Sequence, residues 1–287
     1  MRRRDWILVA GAAVVGAAAP GTAAPVCGQQ IADELRRPLR VQRDLPFREL
    51  DGETVAADLY RPDDQGVYPL VLMIHGGAWT SGDKWNLADH ARELAQAGFV
   101  ALAINYRLAP RYPITEQISD CRVALRWAQQ QADQWLADAN RLCVWGYSAG
   151  GQLAAWLATA PQPGQPAICA VVAGGAPCDF DFVPADSRSL AHVMGGTRQE
   201  VPHAYAEASP LTHASPAAPP FFFFHGTHDL LVPASSSRKL YDRLRQLQVP
   251  AEYHVVENKG HLLTFLDPTA RRRAIDFLRQ STSKESD

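Results

Sequence analysis

The chain has 287 residues, 47% of them hydrophobic, with 28 Lys and Arg against 30 Asp and Glu and a formal net charge of −2. That length and apolar content can bury a sizeable core and fit one α/β domain. The charge balance, with no basic run suited to a polyanion, argues against a nucleic-acid partner.

Arg2, Arg3 and Arg4 precede an apolar run from Trp6 to Ala19 and then the small residues Gly21, Thr22 and Ala23, the order of a secretory signal peptide. The run is too short to span a bilayer well. Cleavage after Ala23 is therefore expected, leaving a mature domain of residues 24–287 that is exported, periplasmic or secreted, with no stable membrane insertion. Losing residues 1–23 removes three arginines and one aspartate and moves the formal charge from −2 to −4. Arg3-Arg4 also loosely resembles a twin-arginine signal, but the basic n-region of an ordinary secretory leader is the preferred reading.

From residue 54 the pattern alternates strand and helix. A strand is predicted over 54–60 and another over 70–74, whose unbroken apolarity suits a parallel strand covered on both faces. A helix over 87–97, a strand over 99–106, a helix over 114–131 and a strand over 142–145 follow, joined by short links. Further strands are predicted over 167–173, 221–224 and 251–256. Between the first two of these lies an irregular insert of about 178–219, containing Phe180, Phe182, Leu190, Val193, Met194, Tyr205 and several prolines. A stretch of that length reads as a lid, and the plainer alternative is an excursion packed on the sheet edge. Only a short segment precedes the first predicted strand, so no large N-terminal cap is expected.

Ser148 stands in Trp-Gly-Tyr-Ser-Ala-Gly-Gly (145–151), where the strand turns sharply into a helix. Such a turn presents a nucleophile, and Gly146 and Gly150 let the crossing segments approach. Small residues near a helix start also occur for packing alone, so the motif needs partners elsewhere. A serine hydroxyl requires a base, a group to orient that base, and donors for the oxyanion.

His261, just after the last strand in Asn-Lys-Gly-His-Leu-Leu, is the candidate base; His90, His192, His203, His213 and His254 read as solvated or satisfied histidines. Asp229, just past the strand over 221–224, is the candidate orienter, with Asp179, Asp181 and Glu257 as minor alternatives. His225 and His228 straddle the turn before Asp229 and are read as bracing that loop, because no third ligand cluster makes them a metal pair. In His75-Gly76-Gly77-Ala78-Trp79 the amides of Gly76 and Gly77, with that of Ala149, are the candidate oxyanion donors. Trp79, Tyr147, Phe180 and Phe182 are candidate pocket walls.

Five cysteines (27, 121, 143, 169, 178) show no metal-like spacing. Cys143 and Cys169 read as small apolar residues in buried strands; in an exported chain one disulfide is possible, with Cys178 a candidate member and no partner chosen by the sequence. Arg271, Arg272 and Arg273 fall in a helical pattern and read as a solvated face.

The order Ser148, Asp229, His261 after a His-Gly-Gly loop is that of the α/β-hydrolase fold. More narrowly, Asp-Leu-Tyr-Arg-Pro (58–62), His-Gly-Gly-Ala-Trp-x-x-Gly-Asp-Lys (75–84), Asn-Tyr-Arg-Leu-Ala-Pro (105–110) and Asp-Leu-Leu-Val-Pro (229–233) resemble esterases related to hormone-sensitive lipase, especially the bifunctional acetyl-xylan and feruloyl esterases. The resemblance covers nearly the whole mature chain. It implies a mostly parallel sheet with helices on both faces and an esterase that needs no metal and no cofactor. The implied substrates are short acyl or aryl esters, small molecules or acetyl and feruloyl groups on plant polysaccharide. One departure stands out: many of these relatives carry Gly-His-Gly, whereas Leu262 follows His261 here. Two other functions compete. An arylformamidase of the kynurenine formamidase kind has a similar His-Gly-Gly-x-Trp segment, and a hydrolase fold without activity can serve as a binding module.

Overall fold

Residues 37–283, apart from residue 51, are described by a computed structural model, and the expected leader, Cys27 and residues 284–287 lie outside that span. In chain order the elements are β1 (Leu39–Leu50), β2 (Glu53–Pro62), β3 (Tyr68–Ile74), α1 (Ala88–Gln96), β4 (Val100–Ile104), α2 (Ile114–Gln131), β5 (Ala137–Tyr147) and α3 (Ala149–Thr159). Then come β6 (Ala170–Gly174), α4 (Ala191–Met194), α5 (Pro202–Ala208), β7 (Phe221–Gly226), α6 (Ala234–Gln246), β8 (Ala251–Val256), α7 (His261–Phe265) and α8 (Pro268–Thr282). The strands form one eight-stranded sheet in the order β1-β2-β4-β3-β5-β6-β7-β8. β1–β2 and β2–β4 pair antiparallel, and every other neighbouring pair is parallel.

The unbroken apolar run of β3 has the cause expected of it. Leu70, Val71, Leu72, Met73 and Ile74 are all fully buried, and because alternate residues point to opposite faces they feed two separate cores. Leu70, Leu72 and Ile74 pack with Leu125 of α2 and Leu153 of α3, whereas Val71 and Met73 pack with Leu94 of α1 and Leu278 of α8. Helices thus cover both faces, which is what lets a parallel sheet exist in water.

β1 is an element that the sequence pattern did not announce. Its pairing with β2 slips between Gln42 and Leu45 and again between Pro46 and Arg48, so no clean two-residue alternation survives. Asp44 adopts a φ of 55° within it. β5 is longer than the predicted 142–145: Asp138, Asn140 and Arg141 break its apolar pattern, yet Ala137 and Asp138 still pair with Tyr68 and Pro69 of β3. The predicted helix over 87–97 opens with a 3₁₀ turn at Lys84–Leu87, which Asp83 and Asn86 cap reciprocally. The insert is partly helical, holding α4, α5 and a 3₁₀ turn at Pro210–His213.

Cys169 precedes β6 and is part-exposed rather than buried in a strand, because β6 begins one residue later. Cys178 is a free, fully buried thiol, so the disulfide the sequence allowed there is not formed; its backbone N–H donates to Ser236 Oγ at 2.9 Å. Arg271 is not simply solvated: its guanidinium pairs with Glu93 at 3.0 Å, tying α8 to α1.

The Asn-Tyr-Arg-Leu-Ala-Pro segment after β4 is a brace. Arg107 donates from its backbone N and its Nε to Asp120 Oδ2, both at 2.9 Å, and from Nη2 to Glu116 at 2.7 Å. The Arg107 and Asp120 side chains are 2% and 0% exposed, and Arg48 of β1 bonds the other Asp120 oxygen. Removing one member strands a buried charge. Asp120→Ala is expected to destabilise the fold by about 3–5 kcal/mol in urea unfolding, and a loss under about 1 kcal/mol would show that the network is not buried as described.

Candidate active site

The turn between β5 and α3 is as tight as its glycines suggest. Ser148 has φ 56° and ψ −123°, a conformation uncommon for a residue with a side chain and held only where the surroundings enforce it. A Cβ on Gly146 would lie 2.0 Å from Gly150 O, and one on Gly150 would lie 2.0 Å from Ile74 O. β5, α3 and β3 therefore touch backbone to backbone here, and only glycine permits it. The Ser148 N–H is anchored to Gly174 O of β6 at 2.8 Å.

The end of β3 lies against this turn. A Cβ on Gly76 would meet Ser148 Cβ at 3.2 Å, so the Gly76 backbone borders the serine directly. Gly77, with φ 129°, reverses the chain, and its carbonyl accepts from Thr80 N and Ser81 N at 3.0 Å. The loop is held from behind: Tyr106 donates its hydroxyl to His75 O at 3.0 Å and stacks on the His75 ring at 4.4 Å. Burial keeps the His75 imidazole neutral, with its pKa down at about 4. Trp79 Nε1 donates to Gln152 Oε1 at 3.0 Å, fastening the loop to α3. Ala149 is buried immediately behind the serine as the first residue of α3, where helix amides have no intrahelical acceptor.

His261 opens α7 after β8, and its Nδ1 lies 2.6 Å from Asp229 Oδ2. A carboxylate only accepts, so Nδ1 carries the hydrogen and Nε2 is left with a lone pair. Tyr147 donates its hydroxyl to the His261 carbonyl, and its ring sits 5.1 Å from the imidazole. Asp229 Oδ1 accepts from Leu231 N at 3.0 Å and Val232 N at 2.9 Å. Burial opposes ionisation of this carboxyl, but hydrogen bonds from His225, His261 and Val232 N outweigh it and hold the pKa well below the usual carboxylate range. Ser148, His261, Gly76 and Gly77 all line one cavity of about 650 Å³. Among the described residues Ser148 Oγ makes no hydrogen bond, as in many resting sites whose contacts tighten only with substrate.

Of the candidate walls, Trp79, Tyr147 and Phe182 line this cavity and Phe180 does not. Phe180 is 2% exposed and faces the core, between Trp79 at 5.9 Å and Tyr205 at 5.9 Å. The insert supplies Phe182, Val183, Ser189 and Leu190 to the wall. Leu262, the departure after His261 that bears on the pocket rim, and Leu231, which is not among the candidate walls, also line it while remaining 68% and 72% exposed. Their signal was adjacency, since each lies within two residues of Asp229 or His261. Asp179 and Asp181 are instead paired with Lys239 Nζ at 3.3 and 3.1 Å. His225 does more than brace the turn, because Asp229 Oδ2 lies 3.2 Å from its Nε2. Among the described residues no group of three or more His, Cys, Asp or Glu could hold a metal ion, and no helix is long and apolar enough to cross a membrane.

The sequence model of the BD-FAE family matches residues 57–244, a span that includes the Gly76-Gly77 turn, Ser148 and Asp229. The chain belongs to the BD-FAE family. The BD-FAE match stops before His261, whose place rests on the geometry above. The probable carboxylic ester hydrolase LipM of Mycobacterium tuberculosis is 33% identical over 239 residues, covering 74% of this chain and 54% of LipM. The chain therefore spans little more than half the length of that relative. Among solved structures, a truncated carbohydrate esterase from gut microbiota superposes with a TM-score of 0.77 at 20% identity, covering 85% of this chain and 97% of that one. A bifunctional GH43-CE from Bacteroides eggerthii gives 0.76 at 22% identity, covering 85% of this chain and 38% of that one. With such neighbours and a mostly parallel sheet flanked by helices, the fold is that of the α/β-hydrolases.

A carboxyl whose pKa is depressed by folding stabilises the folded state above its unfolded pKa and loses that contribution as pH falls toward the depressed value. Asp229 is such a group. The stability gap between wild type and Asp229→Asn is expected to be widest above about pH 4 and to shrink as pH falls below it. Urea unfolding at stepped pH reads this; a gap unchanged down to about pH 2 would mean that Asp229 is not held ionised by its donors.

Proposed function

We propose that this chain is a serine carboxylic ester hydrolase that works through an acyl-enzyme. The observation that carries the reading is the 2.6 Å contact of His261 Nδ1 with buried Asp229, made at the cavity that Ser148 also lines. Ser148 Oγ attacks the ester carbonyl while His261 Nε2 accepts its proton, and Asp229 stabilises the imidazolium that results. The developing oxyanion takes hydrogen bonds from the amides of Gly76, Gly77 and Ala149. Nε2 then returns the proton to the departing alcohol, and water, activated by the same nitrogen, releases the acid.

Substrate class follows from the wall. Among the described residues no Asp, Glu, Lys or Arg lines the cavity, and Trp79, Phe182, Leu190, Leu231, Val232 and Leu262 give it an apolar surface. A charged acyl group would be desolvated there without a partner. The site is therefore suited to neutral short acyl or aryl esters, among them acetyl or feruloyl groups carried by plant polysaccharide. The names of two fold neighbours, a carbohydrate esterase and a bifunctional GH43-CE, support that finer reading. The insert of about 178–219 acts as the lid of this pocket, and the leader read at residues 1–23 would deliver the enzyme to external substrates.

Ser148→Ala is expected to lower kcat/KM on p-nitrophenyl acetate by on the order of 10⁴-fold or more, with little change in Tm. A fluorophosphonate probe is expected to add once, at Ser148. Retained hydrolysis in the variant would mean that the nucleophile is elsewhere. Turnover of p-nitrophenyl acetate, methyl ferulate, acetylated xylan and N-formylkynurenine should favour the esters, and a preference for the last compound would replace the ester reading with an amidohydrolase one.

A further inference from the structure

His225 is the last residue but one of β7, 1% exposed, and it does not line the cavity. Its Nε2 hydrogen-bonds Val232 O at 2.9 Å and lies 3.2 Å from Asp229 Oδ2. Both neighbours are acceptors, so Nε2 must carry the hydrogen. Nδ1 lies 2.8 Å from Ser237 Oγ, and Ser237 Oγ lies 2.9 Å from the Tyr253 hydroxyl. With the hydrogen on Nε2, His225 Nδ1 accepts from the Ser237 hydroxyl, which also meets the Tyr253 hydroxyl, and Ala234 O lies 3.2 Å from Ser237 Oγ and 3.3 Å from the Tyr253 hydroxyl. The chain runs from β8 through α6 into the strand end that carries Asp229.

Two imidazoles therefore lie close to the same carboxylate oxygen. The 2.6 Å contact belongs to His261 and the 3.2 Å contact to His225. Val232 closes the arrangement, since its N–H donates to Asp229 Oδ1 while its carbonyl accepts from His225. His225 thus holds both the carboxylate and the loop that orients it. Loop bracing alone would need only the contact with Val232 O.

The geometry points to His225 as a positioning residue: its Nε2–H keeps Asp229 Oδ2 aimed at His261 Nδ1, so that the base keeps the tautomer and direction the reaction uses. The inference rests on the ester-hydrolase reading of Ser148, His261 and Asp229. It predicts that the effect of replacing His225 depends on which of its nitrogens is mimicked. Gln places an amide nitrogen as many bonds from Cα as Nε2, whereas Asn reaches only to the position of Nδ1.

His225→Leu, His225→Asn and His225→Gln should be compared with wild type on p-nitrophenyl acetate, with kcat, KM, Tm and the rate of fluorophosphonate addition at Ser148 measured for each. The Leu and Asn variants are expected to lose kcat by about ten- to a hundredfold, the range of a misplaced catalytic geometry, with KM within about twofold of wild type. The Gln variant is expected to recover most of kcat, and the probe rate should follow the same order. If the Leu variant does not fold, the contrast between Asn and Gln decides alone. Equal kcat for Asn and Gln, or a loss that follows Tm rather than the mimicked nitrogen, would overturn the positioning role while leaving the hydrolase intact. A wild type that neither turns over esters nor labels at Ser148 would remove the underlying reading and this inference with it.

Discussion

The site depends on one buried carboxylate staying ionised. Asp229 has no exposed side-chain surface, yet two backbone amides and two imidazoles surround its oxygens. Desolvation pushes its pKa up, and a protonated Asp229 could no longer fix Nδ1–H of His261 or stabilise an imidazolium. The donors reverse that balance. The turn after β7 is shaped around this requirement, with the Leu231 and Val232 amides curled back onto Oδ1 and the carbonyl of Val232 turned to His225.

A parallel sheet is what makes the gathering of such groups economical in chain length. β3, β5, β7 and β8 run in one direction, so their carboxyl ends open on one edge. Gly76 follows β3, Ser148 follows β5, Asp229 follows β7 and His261 follows β8, each within a few residues of its strand. Rigid strands fix the four positions, and the short turns after them need only aim the groups. The strain at Ser148 is sustained because β3, β5 and α3 are in backbone contact around Gly146 and Gly150.

The parts of this arrangement that could be read from sequence were those with a local signature. Gly146-Tyr147-Ser148-Ala149-Gly150, the diglycine at 76–77, and an Asp and a His just past apolar runs each mark a strand end that the fold brings to one edge. β1 was missed because two slips of register and a left-handed Asp44 erase the alternation that marks a strand. Phe180 was misplaced because an aromatic in an irregular insert carries no sign of which way it faces, and here it faces Tyr205 and the core. The contact of His225 with Asp229 was out of reach for another reason. Sequence shows two histidines near an aspartate, but only the folded turn shows which nitrogen meets which oxygen. Nothing in the sequence around Cys178 shows that its thiol packs free and fully buried.

The most direct test of the account is the protonation of His261 in the resting protein, read by nitrogen-15 NMR on histidine-labelled chain at neutral pH, with the resonance assigned by its loss in His261→Gln. Hydrogen is expected on Nδ1 with a bare Nε2, and this state should be disturbed in Asp229→Asn. Hydrogen on Nε2 with Nδ1 bare, unaffected by the change at Asp229, would contradict it.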